Sequence, residues 1–183
     1  MKLKSNTARI SSEILLKEVI YVMSAVLMLA ALSRVTIPLQ PVPVTGQTLG
    51  ILLTGMMLGR KRALAATLTY LAMGIVGFPV FANGAFGLAT LIGPTGGYLL
   101  GFVPAAFVMG WLGDKGWYNK ALSAISALLI GHAIIFASGL LWLSHFTGWS
   151  NVLAAGFIPF LPGAVAKTLI AFVAIPVLNR INN

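Results

Sequence analysis

Six apolar runs, joined by connectors that are alternately basic and uncharged, limit what this chain can become. The runs cover residues 18–37, 47–59, 63–77, 95–113, 121–145, and 157 or 162 to 178. A helix crossing a bilayer needs about 20 residues, with a range of roughly 17–25. The second and third runs fall short of that. They are expected to borrow residues from neighbouring loops, or to be surrounded by protein rather than lipid. Only 8% of the 183 residues are charged and 58% are hydrophobic, against roughly 25% charged in a soluble domain. The expected fold class is an all-α integral membrane protein with six transmembrane helices. No stretch outside the runs is long enough to bury a core, so residues 1–183 are expected to form a single six-span domain.

The basic residues orient this domain. Lys2, Lys4, Arg9 and Lys17 precede the first run, Arg60, Lys61 and Arg62 join the second and third, Lys115 and Lys120 join the fourth and fifth, and Arg180 follows the sixth. Ten of the twelve basic residues therefore lie on one side, and the connectors 38–46, 78–94 and 146–156 carry none. The positive-inside rule places both N- and C-termini in the cytoplasm, with 1–17 as a cytoplasmic N-terminal segment. A cleaved signal peptide fits less well, because the first run continues toward Ile37 without a small-x-small cleavage site. The net charge of +9 is thereby explained by membrane orientation, and no nucleic-acid partner is expected. The partner is the lipid bilayer.

The uncharged connectors are unusual. One reads Pro38-Leu-Gln-Pro-Val-Pro-Val-Thr-Gly-Gln47, and another reads Phe78-Pro-Val-Phe-Ala-Asn-Gly-Ala-Phe86 and continues to Gly93-Pro-Thr-Gly-Gly97. Pro and Gly oppose regular helix, while Val, Phe and Leu oppose exposure to water. Such backbone is best accommodated by folding inward over a cavity, so both segments are expected to be lids or re-entrant walls. Pro94 suits a first helical turn. Gly96 and Gly97 would let a ligand approach a helix N-terminus, whose free N–H groups favour an anion. A short echo links Val44-Thr-Gly-Gln-Thr-Leu-Gly50 with Pro94-Thr-Gly-Gly-Tyr-Leu-Leu-Gly101, each opening a run directed inward.

Lys167 is the polar residue most in need of a partner. It lies in an apolar run with no carboxylate within a helical turn, and a charge inside a span costs about 2.5–3.5 kcal/mol on insertion scales. A helix starting at Phe157 would bury it about 15 Å deep, and one starting at Pro162 about 8 Å. A ligand group is its expected partner; from the shallower start it could instead snorkel outward as an end anchor. Arg34 reads as an interfacial anchor that can also rim a cavity. Thr45, Gln47 and Asn83 offer donors and acceptors for a neutral polar head group. Phe81, Phe86, Tyr98 and Trp149 are candidates for stacking or for the interfacial aromatic belt. His132 reads as a neutral, hydrogen-bonded core histidine, and Asp114 as a surface charge.

Catalysis is poorly supported. The acidic residues are Glu13, Glu18 and Asp114, all on the cytoplasmic side, and there is no cysteine. HExxH, GxSxG and P-loop motifs are absent. No enzyme, cofactor or metal site is expected, and an ATP-driven process would need its ATPase on another chain. The spans hold no carboxylate for ordinary proton coupling.

Four strings taken together carry a resemblance. They are Ile37-Pro-Leu-Gln-Pro-Val-Pro-Val-Thr-Gly-Gln-Thr48, Gly77-Phe-Pro-Val-Phe81, Gly93-Pro-Thr-Gly-Gly-Tyr98, and Leu161-Pro-Gly163 with Lys167. In order along nearly the whole chain, they resemble the BioY family, the biotin-specific S component of energy-coupling factor (ECF) vitamin transporters. The resemblance implies an S-component-like carrier in the cell (plasma) membrane that binds biotin near its outer face. It also implies as partners an ECF transmembrane scaffold subunit and two ATPase subunits. Solitary transport stays open. This sequence departs from the family at Ala164, where an Asp is typical, and at Gly46, where a larger apolar residue is usual. It also departs in the first run, which lacks a strict Ala-x-x-x-Ala face.

For biotin, the implied substrate-binding residues are Thr45, Gln47, Phe81, Asn83, Thr95, Tyr98 and Lys167. Thr45, Gln47 and Asn83 would meet the ureido ring, while Phe81 and Tyr98 would cover the bicycle. Lys167, helped by N–H groups near Thr95, would meet the carboxylate, although which end of biotin faces Lys167 stays open. Two alternatives remain: an S component for another small vitamin or metabolite, which Ala164 keeps open, and a non-transport membrane scaffold protein.

Overall fold

A computed structural model describes the backbone of residues 2–182 and the side chains of residues 13–177. The basic side chains of Lys2, Lys4, Arg9 and Arg180 therefore lie outside the described residues, as does most of the 1–17 segment at side-chain level. The helices are α1 (Lys2–Arg34), α2 (Gln47–Ile75), α3 (Leu88–Ile92), α4 (Gly96–Asp114), α5 (Ala121–Thr147), α6 (Val152–Gly156) and α7 (Leu161–Asn182). Two short strands, β1 (Thr36–Ile37) and β2 (Val44–Thr45), pair antiparallel between α1 and α2.

Each apolar run forms a helix. Within Glu13–Arg34, Gly96–Asp114, Ala121–Thr147 and Val152–Val177 the chain is long and apolar enough to cross a membrane. The second and third runs are two arms of α2, bent at Gly59, which has φ 76° and ψ 171°. Only glycine adopts that conformation readily. The arms rise roughly 18 and 24 Å at 1.5 Å per residue, less than the bilayer core of about 30 Å. Protein compensates for this shortness, since seven consecutive residues of the first arm, Gly50–Met56, are buried.

α2 and α4 form the centre, and glycine sets their separation. A Cβ added at Gly110 would lie 2.5 Å from Arg60 Cα, and one at Gly55 would lie 2.4 Å from Met109 Cβ. α1 packs on the flank of α2 and turns Leu15, Leu16 and Leu27 outward. A protein immersed in lipid has no need to hide such side chains.

Three local readings change. The first helix ends at Arg34 rather than Ile37, because Thr36 and Ile37 pair with Thr45 and Val44. The 78–94 connector contains the five-residue helix α3 and is not wholly irregular. Asp114 is exposed yet does structural work: its Oδ2 accepts the Arg60 N–H at 3.2 Å. A carboxylate is favourable at that position, the start of the second arm of α2.

Candidate functional site

A short polar chain organises the end of the molecule where α1 passes through the β1–β2 pair into α2. The Thr45 hydroxyl donates to Gln47 Oε1 at 2.8 Å. Gln47 Nε2 donates to the Tyr70 hydroxyl at 2.5 Å, and that hydroxyl donates to the Val80 carbonyl at 2.6 Å. The β2 strand, both arms of α2 and the 78–94 lid are thus held in one arrangement. Gln47 is only 3% exposed and Tyr70 is fully buried, so each bond is worth more than it would be in water.

Above this chain, Phe81 packs edge-on against Tyr70, with ring centroids 5.7 Å apart. Its ring fills the space over Gly74, where an added Cβ would lie 2.0 Å from Phe81 Cζ. The lid is fastened again at its start, where Arg34 donates to the Pro79 carbonyl. Asn83 takes the left-handed conformation, φ 55°, which Asn tolerates better than most residues.

Tyr98 comes from the first turn of α4. Its hydroxyl donates to the Gly156 carbonyl at 2.8 Å, and its ring stacks on Phe160 at 5.8 Å and 7°. Gly139 of α5 makes room, since a Cβ there would lie 2.3 Å from the Tyr98 ring. Thr95 immediately precedes α4, and its hydroxyl donates not to the helix but to the Thr90 carbonyl at 3.1 Å.

These elements enclose a cavity of about 290 Å³. All seven residues expected at the site line it: Thr45, Gln47, Phe81, Asn83, Thr95, Tyr98 and Lys167. Small-molecule sites run from about 300 to 1,000 Å³, so this one suits a small ligand. Among the described residues, Lys167 is the only charged one in the lining. It is half-buried and has no hydrogen-bond or ion-pair partner among the described residues. α7 begins at Leu161, which puts Lys167 about 9 Å along the helix. That matches the shallower of the two expected depths. Ala164, one turn earlier, shares the lining and offers only a methyl group.

Several residues weighed for the site lie elsewhere. Phe86 and Trp149 are exposed and do not line the cavity, and neither does Arg34. Gly96 and Gly97 are buried against protein rather than open to a ligand. A Cβ at Gly96 would lie 1.6 Å from the Leu91 carbonyl oxygen, and one at Gly97 would lie 2.6 Å from that of Ser138. The expected closeness of these glycines is real, but it serves the packing of α4 on α3 and α5. Tyr70 escaped the sequence reading because nothing local marks it; the Gln47 amide it supports lies 23 residues away. Phe136 and Phe160 line the cavity as well and were indistinguishable from ordinary apolar positions.

Comparison with known proteins gives this geometry a context. The sequence profile of the BioY family matches residues 3–183. The biotin transporter BioY2 of Lactococcus lactis subsp. cremoris is 38% identical over 144 residues, covering 78% of this chain and 79% of that protein. The biotin transporter BioY of Thermotoga maritima is 37% identical over 142 residues, covering 75% and 80%. The crystal structure of an S-component for biotin from an ECF-type ABC transporter superposes with a TM-score of 0.77 at 28% identity, covering 90% of this chain and 92% of that one. By sequence over residues 3–183 and by fold, the chain belongs to the BioY family.

Proposed function

We propose that this chain is the high-affinity biotin-binding and uptake subunit of an ECF-type transporter, a carrier and not an enzyme. It captures biotin at the outer face of the plasma membrane and delivers it inward. A transmembrane scaffold subunit and two ATPase subunits supply the energy. Both termini are cytoplasmic, residues 1–183 form one membrane domain, and 1–17 is its cytoplasmic lead segment. The supporting observation is that seven residues from four separate parts of the chain line one small cavity whose only charge among the described residues is Lys167.

In this reading Thr45, Gln47, Asn83 and Thr95 give polar contacts, Phe81 and Tyr98 cover the bicycle, and Lys167 supplies the cationic contact. The polar chain through Tyr70 pre-organises Gln47, which lowers the ordering cost of binding. A charge-assisted hydrogen bond in a largely apolar cavity is among the stronger single contacts.

The test is equilibrium binding of labelled biotin to the purified protein in detergent, with Lys167→Ala alongside. Saturable binding that the variant loses supports the reading. Ala164 favours one other possibility, an S component for a different small vitamin, because the family resemblance implies an acid there. A vitamin panel read by thermal shift separates the two. A protein that binds nothing in the panel would be a scaffold instead.

A further inference from the structure

Two basic connectors meet at the end of α4 that carries Asp114. The bend at Gly59 brings Arg60 against that end. A Cβ on Gly110 would lie 2.5 Å from Arg60 Cα, and the Arg60 N–H donates to Asp114 Oδ2 at 3.2 Å. From there the Arg60 guanidinium reaches the Phe107 ring, its Cζ 5.6 Å from the centroid. Lys115 directly follows α4, and its ammonium folds back over the Trp111 ring, 3.7 Å from the centroid. Phe107 and Trp111 are four residues apart in one helix, so they are neighbours on one face. Two cations from separate connectors therefore share a single face of α4, each held on an aromatic ring.

Protein does not cover that face. Leu100, Pro104, Phe107 and Trp111 recur at helical spacing and are all exposed. They form an apolar stripe on a helix long and apolar enough to cross a membrane. In a bilayer such a stripe meets acyl chains. Aromatic rings and snorkelling cations at the end of a span lie at the level of the headgroups.

The two cations also keep their donors free. Among the described residues, neither the Arg60 guanidinium nor the Lys115 ammonium has an ion-pair or hydrogen-bond partner. Arg62 differs, because Glu18 takes its Nε at 2.7 Å and its Nη2 at 2.5 Å. Asp114 is the acidic residue of this face, and its carboxylate is turned to the bend of α2, where Oδ2 holds the Arg60 N–H and Oδ1 lies against Gly59.

We propose that the Arg60–Lys115 face of α4 is a binding site for a phospholipid of net negative charge. Its phosphate accepts from the guanidinium and the ammonium, which suit a phosphodiester in charge and in donor geometry. One acyl chain follows the stripe from Trp111 to Leu100. A zwitterionic headgroup would bring its own cation beside two others, so an anionic one is preferred. The lipid braces the contact of α2 with α4, since Arg60 belongs to the first helix and Trp111 to the second. The proposal does not depend on the biotin reading.

The test titrates the full chain in neutral detergent with phosphatidylglycerol or phosphatidylcholine, each with brominated acyl chains, and follows quenching of tryptophan fluorescence. Phosphatidylglycerol should quench the wild type at about tenfold lower concentration than phosphatidylcholine. Trp111→Phe should remove the selective part of the quenching, since Trp117, Trp142 and Trp149 lie off this stripe. Lys115→Gln should weaken phosphatidylglycerol about fivefold, and the Arg60→Gln, Lys115→Gln double variant should erase the preference. Lys17→Gln removes an equal charge from exposed α1 and should change nothing. Equal quenching of the wild type by the two lipids would overturn the proposal, as would an effect of Lys17→Gln as large as that of Lys115→Gln. Displacement of phosphatidylglycerol by an equal concentration of glycerol phosphate would mean a site for free anions and overturn the lipid assignment. If the Arg60 variant does not fold, the wild type and Lys115→Gln decide by the same criteria.

Discussion

The Gln47 side-chain amide donates to the Tyr70 hydroxyl at 2.5 Å, and this bond ties the two arms of α2 together across the bend at Gly59. Tyr70 passes the interaction on to the Val80 carbonyl. Tyr70→Phe would leave Gln47 Nε2 and the Val80 oxygen buried and unpaired. A loss of about 1–3 kcal/mol of stability is expected, together with weaker ligand binding as Gln47 is released. Chemical unfolding in detergent and a binding isotherm check both, and a variant as stable as the wild type would show that the chain is dispensable.

Gly139 lies outside the cavity yet governs one of its walls. A methyl at this position would meet Tyr98 Cδ1 at 2.3 Å, so Gly139→Ala must displace a ring stacked on Phe160. Overpacking of this kind costs about 1–3 kcal/mol. The expected result is about tenfold weaker biotin binding from a residue that never touches the ligand. Equal affinity in the two proteins would mean that Tyr98 does not need its present position.

Lys167 carries a charge with no counter-ion among the described residues, in a cavity lined mainly by apolar groups. Holding a charge out of water without a partner costs stability, so an apolar group of similar length is favoured in its place. Lys167→Met should therefore melt higher than the wild type without ligand, and bind biotin at least tenfold more weakly. A lower ligand-free melting temperature would imply that the lysine serves the fold.

The close contact of α2 with α4 predicts a position intolerant of even one methyl. At Gly110 a Cβ would lie 2.5 Å from Arg60 Cα and 2.6 Å from Arg60 N, and backbone cannot yield as a side chain can. Gly110→Ala should cost about 1–3 kcal/mol or more, seen as a lower melting temperature and reduced yield of folded protein.

Topology is directly measurable because the chain contains no cysteine. Lys61 and Trp149 are both exposed and fall on opposite sides under the positive-inside rule. A membrane-impermeant maleimide should label Trp149→Cys in intact cells, and Lys61→Cys only after permeabilisation. The reverse pattern would invert the proposed orientation.

Much of the site was legible because its residues sit in strings that already look unusual. Proline-rich apolar connectors and a lone cation stand out against hydropathy, and Thr45, Gln47, Phe81, Asn83, Thr95, Tyr98 and Lys167 all reached the cavity lining. What supports them was not legible. Tyr70 and Gly139 resemble any residue of an apolar helix until their partners, 23 and 41 positions away, are brought beside them. Gly96 and Gly97 show the same limit: a glycine marks a close approach, but its sequence does not say whether ligand or protein is approaching.

By itself the sequence determined the six apolar segments and the alternation of basic and uncharged connectors between them, because helix formation and membrane partition depend on local composition and span length. The tertiary structure alone decided that the short arms of α2 are sheltered by protein, that Asp114 caps the start of the second arm, and that Gln47, Tyr98 and Lys167 line one cavity. These relationships depend on which surfaces meet across long separations in the chain, and packing in three dimensions, not periodicity, selects them.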